Sequence, residues 1–327
     1  MRSVRQPTIA TCEGGVLMAA GEKAGPGGAT VALPGTCGEL AQGTLDGTPC
    51  LVSCPIERYS VAEVYVREGA GWKAPPDVPK TVVALRACLA QLGRKDVGGR
   101  LRIQSELPRG RGYASSTADI GAALYALGLA LQRPLIPVEV ARLAVGVEPS
   151  DSTLFPGLAL WDHRSGSFFQ DLGPAPRLTV VVLDPGGEVD TIAFNQIDHR
   201  EELRRLAPMH REAFGLLVEG LKRGDLRAVG EAATLSARAH RAILPNPLLE
   251  PALSLAKEMG ALGVCRAHSG TLLGILLDVD EDILPDVLAR VADRLRGSAA
   301  VFASPLVGGG PRLLRETNAL CERVRQR

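Results

Sequence analysis

Apolar and polar positions change period several times along this chain, and each change marks an element. Ala29 to Leu33 reads as a short strand, closed by the turn Pro34-Gly35-Thr36-Cys37-Gly38. Leu51 to Cys54 and Ser60 to Val66 have strand composition. Between Lys80 and Leu92, Val83, Leu85, Leu89 and Leu92 recur at helical spacing. From Arg100 to Leu107, Leu101, Ile103 and Ser105 alternate with Arg102, Gln104 and Glu106 until Pro108, which has no amide proton, ends the strand. A helix of small residues is expected from Ser116 to Leu131, and a second from Pro137, suited to a first turn, to Val145. The turn-rich stretch Glu148-Pro149-Ser150-Asp151-Ser152 precedes strands near Leu158 to Trp161 and Leu178 to Asp184.

The second half is more helical. Charged helices are expected over Asp198 to Arg223, Leu226 to Ala242 and Pro247 to Met259, with another from Asp282 to Arg296. Strands are expected over Gly263 to Arg266, Thr271 to Leu277 and Ala299 to Ala303. A strand-rich half followed by a helix-rich half implies an α+β protein in two lobes, divided near the Gly173 to Pro176 loop. Residues 1–28, ending in Gly25-Pro26-Gly27-Gly28, read as a poorly ordered leader.

Composition narrows the function. With 327 residues, 46% hydrophobic and 22% charged, the chain can build a sizeable core. A net charge of +1 leaves no basic footprint for nucleic acid. The longest apolar run, around Leu178 to Leu183, is strand-sized, so no membrane span is expected. Arg2 and Arg5 are followed by no compact apolar stretch, which argues against a secretory signal. The seven cysteines lack metal-ligand spacing, even Cys50 and Cys54, and read as reduced thiols of a cytoplasmic protein. The patterning specifies no oligomeric state.

The strongest local signal is Pro108-Arg109-Gly110-Arg111-Gly112-Tyr113-Ala114-Ser115-Ser116 between a strand and a helix. Glycines let backbone approach a ligand, and a helix N-terminus offers free amide protons and partial positive charge, so the loop suits phosphate. Ser115 and Ser116 could cap the helix, bind phosphate or ligate magnesium. Spacing alone also permits an ordinary turn into a capped helix. The loop is neither a Walker A loop nor a dinucleotide fingerprint, because the required Lys and third Gly are absent.

Pro-x-x-x-Gly-x-Ala-Ser-Ser-Thr-Ala resembles the central motif of the GHMP kinase superfamily, with Tyr113 where that motif has Leu. Pro34-Gly35-Thr36-Cys37-Gly38-Glu39-Leu40 resembles its N-terminal motif, and His268-Ser269-Gly270-Thr271 a degenerate form of its third. Together with Leu51-Val52-Ser53-Cys54-Pro55-Ile56 and Val147-Glu148-Pro149-Ser150-Asp151-Ser152, these segments are most similar to the L-threonine kinase branch, which makes L-threonine O-3-phosphate for the aminopropanol arm of cobalamin. The resemblance implies a two-lobed fold: an ATP-binding lobe like domain 2 of ribosomal protein S5 over 29–175, and a ferredoxin-like lobe over 176–327.

It also implies ATP and Mg2+ as cofactors and a small amino acid as substrate. Pro108, Arg109, Gly110, Arg111, Gly112, Tyr113, Ala114, Ser115 and Ser116 are then expected at ATP. Glu148 and Asp151, alone a solvated turn, become a magnesium ligand and a base for the acceptor hydroxyl. Ser116 joins Glu148 on the metal, and Glu139 is the fallback ligand. Homoserine-kinase-like members lack the Asp, so Asp151 favours a base mechanism. Gly38, Glu39, Ser269 and Gly270 are expected at the substrate, Glu39 at its ammonium group. A kinase for another alcohol, such as homoserine or pantoate, shares the ATP side. A non-catalytic nucleotide or metabolite binder would be marked by loss of Asp151 or Ser116, and both are present.

Overall fold

The computed structural model describes residues 27–69, 71–188, 199–280 and 282–314. The leader lies outside the described residues except for Gly27 and Gly28. Its first elements are two long antiparallel strands, β1 (Gly28–Leu45) and β2 (Thr48–Glu68). They are joined by Asp46-Gly47, both at positive φ (48° and 83°), the conformation a tight two-residue hairpin demands.

The Pro34–Gly38 segment is therefore not a turn. It is the bulged middle of β1, whose register against β2 shifts between Pro34 and Thr36, Thr36 and Glu39, and Glu39 and Ala41. Pro and Gly there interrupt the ladder without reversing the chain. Likewise the strands predicted at Leu51 and Ser60 are one, β2.

The first lobe continues with β3 (Trp72–Lys73), α1 (Pro79–Gln91), β4 (Val97–Ser105), α2 (Ser115–Ala130), α3 (Pro137–Val145), β5 (Ala159–Asp162) and β6 (Phe169–Asp171). Helix α1 turns Ala84, Leu85, Cys88 and Leu89 inward, whereas Val83 is exposed. Helix α2 is apolar on every side and nearly all buried, as a helix inside a core must be. Its small residues set the approach: a Cβ on Gly121 would lie 2.4 Å from Leu154 and 2.7 Å from Leu33.

The second lobe contains β7 (Thr179–Asp184), α4 (Arg200–Arg223), α5 (Leu226–His240), α6 (Leu249–Glu258), β8 (Gly263–Arg266), β9 (Leu273–Leu277), α7 (Leu284–Arg294) and β10 (Ala300–Pro305). Its strand order is β10-β7-β9-β8, the ferredoxin-like arrangement. On β7, Val180 and Val182 enter one apolar cluster while Val181 and Leu183 enter the other. Both faces are covered, so the strand reads as an unbroken apolar run. Strand β8 joins β1 at Glu39 and Arg266, making one sheet through both lobes. The chain then returns: β11 (Arg312–Leu313) pairs with β1, and Val307 N–H donates to Pro55 O at 3.0 Å. The described cysteines Cys37, Cys50, Cys54, Cys88 and Cys265 are buried free thiols; Cys12 and Cys321 lie outside the described residues. Among the described residues, no helix is long and apolar enough to cross a membrane.

Backbone meets backbone where the lobes join. Gly38 N–H donates to Gly112 O (3.2 Å), Thr36 N–H to Tyr113 O (3.0 Å) and Thr271 N–H to Arg111 O (2.9 Å). A Cβ on Gly38 would lie 2.3 Å from the Arg266 carbonyl, one on Gly112 2.2 Å from the Ala267 Cβ, and one on Gly270 2.3 Å from Arg111 O. Gly38 and Gly260 both have left-handed φ (62° and 66°), but a Cβ on Gly260 meets nothing within 4 Å. Gly38→Ala is expected to cost roughly 3 kcal/mol, backbone strain plus overpacking, and Gly260→Ala about 1 kcal/mol, strain alone. Urea midpoints for the two variants measure the difference.

Candidate active site

The loop between β4 and α2 forms the floor of a cleft of about 360 Å³. Gly110 and Gly112 take φ of 71° and 101°, and Ala114 takes 55° as the N-cap of α2. No side chain caps this helix, so neither Ser115 nor Ser116 does so, and its first-turn amides are left for an anion. Ala114, Ser115, Ser116 and Thr117 all line the cleft.

Ser116 Oγ donates to Glu148 Oε1, and Lys80 Nζ bonds Glu148 Oε2 at 2.5 Å. These neighbouring hydroxyl and carboxylate oxygens are hard donors at a helix N-terminus. Among the described residues no group of three His, Cys, Asp or Glu side chains is arranged to hold a metal. That sparse set fits magnesium, which takes few protein ligands and draws the others from phosphates and water. Glu139 is not beside them: it bonds the Ile136 amide at 3.1 Å and Arg133 at 3.0 Å at the start of α3, which removes it as fallback ligand.

Asp151 sits opposite the loop. Its Oδ2 accepts from Thr117 Oγ1 at 3.2 Å and its Oδ1 from Ser53 Oγ at 3.5 Å. Ser53 and Ser152 exchange two backbone-to-hydroxyl bonds of 3.0 Å, fastening the Asp151 turn to β2. Burial, and then the charge of Glu39, push the Asp151 carboxyl up to about 7, against the hydrogen bond from Thr117.

Ser53 is also the β2 partner of Glu39 in register, so β1 brings the second carboxylate alongside. Glu39 is 6% exposed, and burial raises it to about 8 despite a hydrogen bond from the His268 amide. That amide and His268 Nδ1 both reach Glu39 Oε2, at 2.9 and 2.8 Å. Nδ1 also lies 3.2 Å from Arg266 O, which only accepts, so Nδ1 carries the proton; Nε2 faces Ser236 Oγ at 3.2 Å. Burial, then Arg266, hold His268 well below the usual imidazole range. The contact is therefore a neutral imidazole donating to Glu39 Oε2. Oε1 of Glu39 has no hydrogen-bond partner among the described residues, and Glu39 lines the cleft.

Of the residues expected from the sequence, Glu39, Arg109, Gly110, Gly112, Tyr113, Ala114, Ser115, Ser116, Glu148, Asp151 and Ser269 line this cleft. Arg109 pairs with Asp77 at 3.0 Å and Asp119 at 3.5 Å. Pro108, Arg111, Gly38 and Gly270 do not line it. Arg111 turns to Asp184 at 3.2 Å, where Tyr113 Oη also donates at 3.0 Å, tying the loop to β7. Gly38 and Gly270 serve the close packing beneath it. Sequence reading missed Lys80, Ser53, Thr117 and Arg164; Thr117, within the loop motif, and Ser53, within the Leu51-to-Ile56 segment, carried a local signal.

Comparison with known proteins agrees with this architecture. The family described as GHMP kinases N terminal domain matches residues 80–155, and GHMP kinases C terminal matches residues 217–311. The chain is 35% identical to the L-threonine kinase of Citrobacter freundii over 76% of this chain and 86% of that one. It is 30% identical to the L-threonine kinase of Salmonella typhimurium over 81% and 88%. A homoserine kinase structure from Cytophaga hutchinsonii superposes with TM-score 0.71 over 90% and 99% of the two chains, at 18% identity, a likeness of fold. With both lobes matched and a phosphate-type loop facing paired carboxylates, this chain belongs to the GHMP kinases and is a phosphotransferase acting on an alcohol group.

Proposed function

We propose that this protein transfers the γ-phosphoryl group of ATP to the side-chain hydroxyl of L-threonine, giving L-threonine O-3-phosphate for the aminopropanol arm of cobalamin. The observation that carries the acceptor is Glu39, a buried carboxyl group that lines the cleft, with Oε2 accepting two hydrogen bonds and Oε1 without a partner among the described residues. Such a group suits a small cation, the ammonium of an amino acid. The two L-threonine kinases among its relatives support the same reading.

In this mechanism the uncapped amides of α2, with Ser115 and Ser116, receive the phosphates. Ser116 and Glu148 would hold magnesium, which neutralises phosphate charge as transfer proceeds. Thr117 and Ser53 aim the Asp151 carboxylate. The threonine oxygen bonds to the γ-phosphorus as the bond to ADP breaks, and the hydroxyl proton passes to Asp151. Positioning and electrostatics supply most of the acceleration.

ADP release with magnesium-ATP is measured against L-threonine, L-serine, L-homoserine, mevalonate and pantoate. A response mainly to L-threonine is expected; one mainly to L-homoserine keeps the amino-acid site and replaces the acceptor. Glu39→Gln is expected to raise KM for L-threonine by about 10²-fold, as loss of a buried charge partner does, with KM for ATP little changed.

Asp151→Asn is expected to lower kcat by about 10²- to 10⁴-fold. A base must be unprotonated, so kcat/KM falls as pH drops below about 7, the value to which Asp151 is raised. A pH profile of Asp151→Asn that keeps that limb unchanged would rule Asp151 out as its source. Glu148→Gln is expected to move the magnesium titration to higher concentration by about tenfold or more. An unmoved titration returns the ligand role to another residue.

A further inference from the structure

A receptor carboxylate must be aimed as well as present, and Glu39 leaves β1 where the ladder is irregular. The register shifts on both sides of it, and Gly38 before it is left-handed. We infer that His268, backed by Ser236 and His240 of α5, is a positioning residue that fixes Glu39 so that Oε1 is left to the acceptor's ammonium group; this rests on the acceptor reading just given.

Both hydrogen bonds to the Glu39 side chain come from this one residue. The His268 amide and Nδ1 reach the same oxygen, Oε2, at 2.9 and 2.8 Å. Two donors on one oxygen pin the carboxyl group and leave the other oxygen to a ligand. The ring donates there only as the Nδ1–H tautomer, so Nε2 carries a lone pair. That lone pair is buried with its ring, which is 1% exposed, and a buried acceptor needs a donor. Ser236 supplies it, with Oγ 3.2 Å from Nε2. The hydroxyl itself accepts from Gln42 N–H on β1 at 3.0 Å. Its one proton is then best directed to the ring, since the Gln42 carbonyl is more distant, at 3.4 Å.

The same helix holds the other end of His268. His240 stands one turn after Ser236 on α5, on the same face. Its Nε2 lies 2.7 Å from the His268 carbonyl, which only accepts, so His240 donates. The two rings pack with centroids 4.3 Å apart, tilted by 53°. His268 is thus gripped by α5 at ring and carbonyl, while its amide and Nδ1 grip Glu39.

Neutrality suits the role. Burial, then Arg266, hold His268 well below the usual imidazole range, and burial, then His268, do the same to His240. A cationic imidazole would cancel the charge of Glu39. A neutral one orients the carboxylate and leaves its charge for the ammonium.

The test uses the full-length protein. His268→Leu removes the ring donor and keeps the amide. It is expected to raise KM for L-threonine about 30-fold, with kcat and KM for ATP within about threefold, the split that lost ground-state binding produces. His268→Asn puts an amide NH2 where Nδ1–H stands, and its protons suit Glu39 Oε2 and Arg266 O, the two acceptors already there. It is expected to keep KM for L-threonine within about fivefold of the wild type. Ser236→Ala alone is expected to raise that KM about fivefold. Added to His268→Asn, which has no Nε2 to satisfy, it is expected to cost less than about twofold. Proton–nitrogen correlation NMR of histidine-labelled wild type is expected to show an Nδ1–H imidazole that is missing from His268→Asn. Equal losses from Ser236→Ala in the two backgrounds mark a merely structural contact and overturn the inference. So does a wild-type His268 protonated at Nε2, or a His268→Leu that loses L-threonine and ATP alike. Should the His268 variants not fold, an unchanged KM for L-threonine in Ser236→Ala overturns it. A KM raised in Glu39→Gln and unmoved in His268→Leu overturns this inference and keeps the acceptor reading. A KM unmoved in both overturns the acceptor reading, and this inference falls with it. A wild type active on L-homoserine is tested with that amino acid, to the same criteria.

Discussion

The close approach of three backbone segments around Gly38, Gly112 and Gly270 is the constraint on which the rest depends. Each segment belongs to a different part of the chain, and two of them donate amides to the carbonyls of the third: Gly38 and Thr36 to Gly112 and Tyr113, Thr271 to Arg111. Side chains are excluded there, since added Cβ atoms would lie 2.2 to 2.3 Å from their neighbours. With its carbonyls so engaged, the loop is fixed from behind and its helix amides face forward. Tyr113, which stands where the family motif has Leu, adds a hydroxyl bond to Asp184 on β7, so the loop is anchored to both lobes.

On this frame the site gathers carboxylates in a dry place, which is unfavourable without compensation. The molecule supplies part of it through neutral donors: Thr117 and Ser53 for Asp151, a neutral His268 for Glu39. The remainder of the charge is left standing, and, after burial, Glu39 and then Glu148 raise the proton affinity of Asp151. A cationic group entering between them relieves that repulsion. The buried Arg266 partly offsets Glu39 from below, but its Nη1 has no hydrogen-bond partner among the described residues.

Much of this was legible in the residues. The loop and its helix were placed by a local pattern, whereas Ser116, Glu148 and Asp151 were expected together only through the resemblance to the family's motifs, and the structure brings them to one cleft. The helices and the ferredoxin-like strands followed from periodicity, β8 over the same residues, Gly263 to Arg266. What failed has a common cause. Pro34, Gly35 and Gly38 carry turn chemistry, yet a long neighbouring strand and an engaged loop keep them within β1 as a bulge rather than a chain reversal. The actual reversal, Asp46-Gly47, had a two-residue hairpin signature that was passed over. Glu139, acidic and near in sequence, was captured by Arg133 and its own helix start. Lys80 and Arg164 reach the cleft, and Ser53 reaches Asp151, through strand register and tertiary packing rather than through a local pattern.

The strand β1 belongs to both lobes, pairing with β2 along one edge and with β11 and, at Arg266, β8 along the other. A clamshell motion about that seam must break backbone hydrogen bonds and pull apart contacts that leave no room for a methyl group. Ligand traffic in this kinase is therefore better served by small rearrangements at the rim than by rigid-body opening. The half-exposed Lys80 and Arg109 line the cleft, each held by carboxylate partners.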